Sequence, residues 1–281
     1  MNDDMNEKFM DYMEYLEEEE KSQATRQQYR RDITHFFAYV GEQNLEKELV
    51  IRYKEELQGS YQPSSVNTKI AAINGFFSFI GRIELKVKQL KIQRKSYCSK
   101  KQELTKREYL RLVQTAREQA DHRLGLLIQT ICGTGIRVSE LKFLTAEAVR
   151  TGEAVVQLKG KTRTILISGK LRKLLRQYMR NQKIHSGPIF VTKNGKPMDR
   201  SNIWRMMKKL CVGAKVDSGK VFPHNLRHLF ARCFYSIEKD IAKLADILGH
   251  SNINTTRIYI LSTGGEHRRQ LDAMELVVDS E

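Results

Sequence analysis

Residues 248–259 read LGHSNINTTRIY. An apolar run closes on Gly249 and His250, a polar cluster of Ser251, Asn252 and Asn254 follows, and Tyr259 comes nine residues after the histidine. Glycine behind an apolar run stops a helix, and Ser and Asn favour the turn that follows. The stretch therefore predicts two short helices meeting at a corner, one carrying His250 and the next Tyr259. Taken alone, it is equally an ordinary helix–loop–helix corner with a packed tyrosine. The neighbouring segments have to decide between the two.

PHNLRHLFARCF, residues 223–234, opens on a proline suited to a helix start. Leu226, Leu229, Phe230 and Cys233 recur at i, i+3, i+4, i+7 and mark a buried face. His224, Arg227, His228 and Ala231 repeat that spacing on another face, so His224 and Arg227 stand one turn apart. GTGIRVSEL, residues 133–141, places Arg137 at a helix start after two glycines. A helix N-terminus already favours anions, and an arginine there strengthens a phosphate site. Glu140, one turn on, can hold that guanidinium or cap the helix. In QLKGKTRT, Lys159 lies beside a predicted hairpin turn around Gly160-Lys161-Thr162, with Lys161 and Arg163 as neighbouring candidates for phosphate contact. Each of these has a plain alternative as a solvated or structural charge.

The whole chain has 281 residues, 40% hydrophobic and 8% aromatic, enough to bury a core. Its formal net charge is +16, which points to a polyanionic partner, nucleic acid first. The first 20 residues hold nine acids and one Lys, leaving the other 261 at +24. An acidic lead helix on a basic body argues for a DNA-facing surface and a separate edge away from DNA. Cys98, Cys132, Cys211 and Cys233 form no C-x-x-C, which argues against a zinc or redox motif. Cys132 and Cys233 read as small core residues. No signal peptide or membrane-length apolar span is present, so a soluble, cytoplasmic protein is expected.

Residues 1–85 predict four helices. FMDYMEYL has Phe9, Tyr12, Met13 and Leu16 on one face; the second helix starts with Thr25 as N-cap and buries Ile33, Phe36, Phe37 and Val40. Two more helices cover about 46–57 and 63–81. Residues 86–103 are Lys- and Arg-rich without apolar period and predict a basic linker. A second domain, 104–281, starts with a Thr105–Glu108 capping box. It continues with helices near 105–119, 121–133 and 137–145, the hairpin, a helix near 170–182 and a strand at 188–191. Helices near 200–214, 224–236, 239–248, 254–261 and 265–277 complete it.

Arg137, Lys159, His224, Arg227, His250 and Tyr259, in that order, resemble the tyrosine recombinases, the phage-integrase and Xer-like family of site-specific DNA recombinases. GTGIRVSEL, LKGKTRTILIS, PHNLRHLFA and LGHSNINTTRIY carry the likeness, and the helical segment from Phe9 to Val40 resembles the family's core-binding domain. The hairpin is about one residue shorter than the common family form, which leaves Lys159 and Lys161 as rivals. Asn225 and Leu229 depart from the usual Asp and Thr or Ser. Helices begin almost at once, so no additional arm-binding domain is expected.

The resemblance implies a mainly α, two-domain fold with a small antiparallel β-sheet: a helical core-binding domain and a mixed α/β catalytic domain. It implies that Tyr259 attacks phosphorus, Arg137 and Arg227 hold the nonbridging oxygens, and Lys159 protonates the leaving oxygen. His224 then exchanges the tyrosine proton and His250 bonds the phosphate. No cofactor or metal is implied. The implied partners are double-stranded DNA with inverted-repeat core sites, a tetramer on two sites, and an accessory DNA-bending protein as a further candidate. Candidate DNA contacts are Arg26, Arg30 and Lys69 in the first domain, and Arg200, Asn202, Arg205 and Lys208 in the second. The last helix, with Leu271, Met274 and Val278, is expected to dock on a neighbouring subunit. A type IB topoisomerase-like enzyme or telomere resolvase, and an inactive DNA-binding regulator, remain as alternatives.

Overall fold

The computed structural model describes residues 3–92, 103–119, 121–158, 161–192, 194–260 and 272–274. Lys159, Cys98 and, apart from 272–274, the helix expected over 265–277 lie outside the described residues. The chain divides into two compact units, Met1–Arg94 and Lys95–Glu281.

The first unit holds α1 (Asp3–Glu18), α2 (Gln23–Val40), α3 (Lys47–Ser60) and α4 (Pro63–Phe79). The predicted stripes are the ones buried: Phe9, Tyr12, Met13 and Leu16 on α1, and Ile33, Phe36, Phe37 and Val40 on α2. Aromatic edges lock them, with Phe9 against Phe37 at 5.8 Å and Phe37 against Phe76 at 5.5 Å, both near-perpendicular. The N-cap of α2 is Ser22, not Thr25; Ser22 Oγ accepts from Thr25 N.

Residues 86–92 correct the expected linker. After a 3₁₀ turn at Ile83–Leu85, the chain lies along α4, where two asparagines imitate a strand partner. Asn74 exchanges hydrogen bonds with the backbone of Val87 at 2.8 and 3.1 Å, and Asn67 with that of Leu90 at 2.9 and 2.7 Å. Leu85 and Val87 are buried. The carboxamides satisfy the strap's backbone, so it needs no apolar period of its own.

The second unit opens with α5 (Lys106–Glu118), whose Thr105–Glu108 capping box is formed, and α6 (His122–Thr134). Gly135 ends α6 at φ +64°, and a Cβ there would come within 2.5 Å of the Phe230 ring. Only glycine lets the helix reverse there with Phe230 against its end. The helix expected at 137–145 is instead a 3₁₀ segment, Val138–Phe143, followed by α7 (Ala146–Thr151), which Thr145 caps.

β1 (Glu153–Leu158) pairs antiparallel with β2 (Lys161–Leu166), Val156 opposite Arg163. Leu158 pairs with Lys161 and Gln157 with Thr162, so Lys161 and Thr162, expected in the turn, belong to β2. Ala154, Val156 and Ile165 face the core. The strand expected at 188–191 is reduced to two isolated bridges, Thr145–Pro188 and Val191–Pro197. Helices α8 (Gly169–Asn181), α9 (Arg200–Ala214), α10 (Pro223–Glu238), α11 (Ile241–Leu248) and α12 (Ile253–Arg257) follow. Among the described residues, no helix is long and apolar enough to cross a membrane.

Candidate active site

Tyr259 is delivered by a compact corner. Asp240 caps the start of α11. Gly249, at φ +64°, ends that helix and turns the chain into His250. Asn252 caps the one-turn α12, and Tyr259 follows with its amide bonded to Thr256 O at 2.9 Å. The Tyr259 ring is buried, 6% exposed, in a small cluster with Ala231, Leu244 and Leu248.

Five of the six expected catalytic residues converge there; Lys159 lies outside the described residues. Tyr259 Oη is 3.5 Å from His224 Nε2. The Tyr259 ring meets His250 at 5.2 Å between centroids and lies under the Arg227 guanidinium at 5.9 Å. Arg227, one turn from His224 on α10, is 1% exposed. Burial of so long a cation requires partners for its donors. Arg227 donates to Gly135 O, to Leu248 O at 2.7 Å and to His250 Nε2 at 3.0 Å. Cys233, expected beneath the same helix, is exposed.

The Arg227 contact settles the His250 tautomer. A guanidinium only donates, so Nε2 accepts and the proton sits on Nδ1, which donates to Thr256 Oγ1 at 2.9 Å. Burial, then the charges of Arg227 and Arg137, push the His250 pKa down to about 4. The ring is therefore neutral at pH 7 and has a fixed orientation.

Arg137 stands where the glycine-bounded turn predicted. Glu140 does both of the things its position allowed: it accepts from the Arg137 backbone amide at 2.8 Å and from Arg137 Nη1 at 2.9 Å. Glu140 is 2% exposed. Burial opposes its ionisation, but hydrogen bonds from Arg163 and from the Arg137 amide outweigh it and hold the carboxyl below its ordinary value.

Arg163 corrects the sequence reading. Instead of projecting to a phosphate, its side chain is 11% exposed and turned inward. It donates to Glu140 Oε2 at 2.5 Å and to Ile247 O at 2.6 Å. Three consecutive carbonyls at the end of α11 thus take three different arginines: Ile247 O takes Arg163, Leu248 O takes Arg227, and Gly249 O faces Arg137 at 3.4 Å. Those carbonyls have no partner within the helix and carry the negative end of its dipole, so they gather cations. Glu140 is the carboxylate that balances them. Burial and the Arg137 charge lower the Arg227 pKa to about 10. Burial, then Arg227 and Arg137, lower that of His224. A site whose cations disfavour one another is suited to an anion.

Two participants carried no assigned role in the sequence reading. His228 shares a helix face with His224, a spacing that was visible. Its ring lies parallel to Tyr259 at 4.2 Å, and burial pushes its pKa down to about 3. Thr256, fully buried, orients His250; one threonine in a polar turn carries no signal of that.

The expected DNA-contact residues divide. Arg30, Arg200 and Arg205 are exposed, and Asn202 and Lys208 are half-buried. Lys69 is a second correction: its ammonium is bonded to the buried Asp32 at 2.9 Å, and its side chain is 15% exposed. Arg26 is paired with Glu17 at 2.5 Å. Lys161 belongs to β2. Among the described residues, no group of three or more His, Cys, Asp or Glu is placed to hold a metal.

This fold and this constellation define a DNA strand transferase with a tyrosine nucleophile. Residues 102–264 match the Phage integrase family and residues 9–82 the Phage integrase N-terminal SAM-like domain. The chain belongs to that family, the tyrosine recombinases, and acts in site-specific recombination. It is 31% identical over 274 residues to tyrosine recombinase XerA of Pyrococcus horikoshii, covering 95% of this chain and 93% of that protein. It is 28% identical to tyrosine recombinase XerD of Halalkalibacterium halodurans, covering 85% and 87%. Among solved structures, a lambda integrase (75–356) dimer bound to a COC′ core site superposes with TM-score 0.75 at 15% identity, covering 98% of both chains. The crystal structure of XerA recombinase gives 0.54 at 25% identity, covering 98% and 100%.

Proposed function

We propose that this recombinase cuts and rejoins DNA through a 3′-phosphotyrosyl intermediate at Tyr259, and exchanges strands through a Holliday junction. Tyr259 Oη bonds to phosphorus while the bond from phosphorus to the 5′ oxygen breaks. The tyrosine proton passes to His224, and the leaving oxygen takes its proton from Lys159. Arg137 and Arg227 hold the nonbridging oxygens and stabilise the charge that grows in the transition state; His250, accepting from Arg227 through Nε2, holds that guanidinium towards the phosphate. The phosphotyrosyl ester conserves the energy of the broken bond, so rejoining requires neither ATP nor metal.

The observation that carries this reading is the meeting of Tyr259 with His224, His250 and Arg227 beside Arg137. The substrate is double-stranded DNA with inverted-repeat core sites, gripped by Arg30 in the first unit and by Arg200, Asn202, Arg205 and Lys208 on α9. By likeness to a solved lambda integrase tetramer on a Holliday junction, four copies act on two sites. An accessory DNA-bending protein is a candidate partner. The protein works in the cytoplasm at the nucleoid.

A nicked suicide substrate tests the chemistry. Wild-type protein should accumulate a covalent adduct at Tyr259; Tyr259→Phe should bind DNA and form none. An adduct at another tyrosine overturns the assignment. Supercoiled plasmid that is relaxed without resolution or integration products favours topoisomerase-like action instead.

A further inference from the structure

We propose that Arg163 is the third arginine of the site, a positioning residue that sets the Arg137 guanidinium and the His250 turn without touching DNA. The inference rests on the strand-transfer reading above.

Arg163 joins three separate chain segments through one side chain. Its backbone belongs to β2, paired with Val156 of β1. Its Nη2 bonds to Glu140 Oε2 at 2.5 Å, and the same carboxylate bonds to Arg137 through Oε1 at 2.9 Å. Its Nη1 bonds to Ile247 O at 2.6 Å, two residues before Gly249. Glu140 is thus held from both sides, and its freedom to swing Arg137 is removed.

Gly249 supports the same assignment by a different route. A Cβ at that position would lie 2.3 Å from Arg163 Cδ. The turn that launches His250 is therefore seated directly on the Arg163 stem. The packing explains why the guanidinium can bridge a carboxylate and a helix end at once: the fork is planar, and a lysine ammonium on a flexible stem has no such shape. A misplacement of about 1 Å at a catalytic group costs about 100-fold in rate.

A phosphate-contacting arginine and a positioning arginine differ in two measurements. Removing a phosphate contact weakens binding and lowers the slope of log K against log salt by about one. Removing a positioning residue leaves that slope intact and lowers the cleavage rate on saturating DNA. Single-turnover cleavage of the suicide substrate and salt-dependent binding should be measured for wild type, Arg163→Met and Arg163→Lys. Tyr259→Phe serves as the control. Arg163→Met should lose about 100-fold in cleavage with the salt slope unchanged. Arg163→Lys, which keeps the charge and folds more safely, should lose less. Arg163→Met combined with Arg137→Lys should lose less than the two single losses together, because both act through one guanidinium.

A salt slope reduced by about one, with cleavage at saturation intact, would return Arg163 to the DNA contacts. Wild-type cleavage by both variants, or full additivity with Arg137→Lys, would also overturn the proposal. Absence of a Tyr259-dependent adduct in the wild type would overturn the strand-transfer reading itself, a distinct result.

Discussion

The ring of His228 lies parallel to that of Tyr259, with 4.2 Å between centroids and 21° between planes. His224, one turn earlier on α10, meets the same tyrosine at 5.3 Å from a steeper angle. Tyr259, the proposed nucleophile, therefore packs against two imidazoles of one helix. His224 reaches its hydroxyl; His228 covers its face and, kept neutral by burial, adds no charge there.

The stack predicts how His228 variants divide. His228→Phe keeps a flat ring against Tyr259 and should retain cleavage within about threefold. His228→Ala leaves the ring a cavity to move in and should lose about tenfold or more. Adduct formation on the suicide substrate measures both. Equal activity in the two variants would mean that the stack does not hold the nucleophile.

Acid should loosen the same corner. His250 and His228 have pKa values of about 4 and about 3, well below their ordinary 6.5. In that window the unfolded chain binds more protons than the folded one, so stability rises with pH across it. Stability is fully present above about pH 6.5 and is lost as pH falls through about 4. Urea unfolding at pH 7.5, 5.5 and 4.5 should show a falling midpoint, and His228→Phe should flatten the decline. An identical pH profile in the variant would remove His228 as a source.

Arg137 and Arg227, the proposed phosphate clamp, should fail differently when changed to lysine. Arg137 is partly open, and Arg137→Lys should lose cleavage with little change in stability, because an ammonium cannot make the paired phosphate contact. Arg227 also holds Gly135 O, Leu248 O and His250. Arg227→Lys leaves some of these buried acceptors unmet and should cost about 1–3 kcal/mol of stability as well. Thermal melts alongside cleavage assays separate the two losses. Equal melting temperatures for both variants would contradict the buried role of Arg227.

Helix spans were readable because apolar period and caps are local. The stripes on α1 and α2, the Thr105–Glu108 box and the Gly249 stop all followed from residues within a few positions of one another. The long-range terms were hidden. Nothing near Arg163 or Lys69 in sequence reveals Glu140 or Asp32, so exposed basic residues and inward ones looked alike. The burial of Arg227 was not legible because its partners are carbonyls, which carry no residue identity. The strap at 86–92 read as linker because Asn67 and Asn74, far back in the chain, supply its hydrogen bonds.

Lys159 and Lys161 flank one glycine, and Lys159 is the proposed leaving-group acid. A DNA substrate with sulfur at the 5′ bridging position needs no proton on departure. Lys159→Ala should therefore be inactive on ordinary DNA and active on the sulfur-bridged strand. Lys161→Ala should be weaker in binding and gain nothing from sulfur. Sulfur rescue of Lys161→Ala alone would move the role to Lys161.

The proposed grip of α9 has a built-in reporter. The chain contains one tryptophan, Trp204. It is 49% exposed and sits on the α9 stripe formed by Arg200, Trp204 and Lys208 at i, i+4, i+8. The Lys208 ammonium lies 5.1 Å above its ring. An α-helix fits the major groove of duplex DNA, where an apolar side chain meets the thymine methyl and flanking cations meet phosphates. Core-site duplex should therefore shift Trp204 emission to the blue and shield it from acrylamide. Raising salt should reverse the change steeply, because each phosphate contact gives up condensed counterions when it forms. Arg200→Ala and Arg205→Ala should each lower the salt slope by about one. DNA that binds tightly without altering Trp204 emission or quenching would place the duplex elsewhere and remove α9 from the grip.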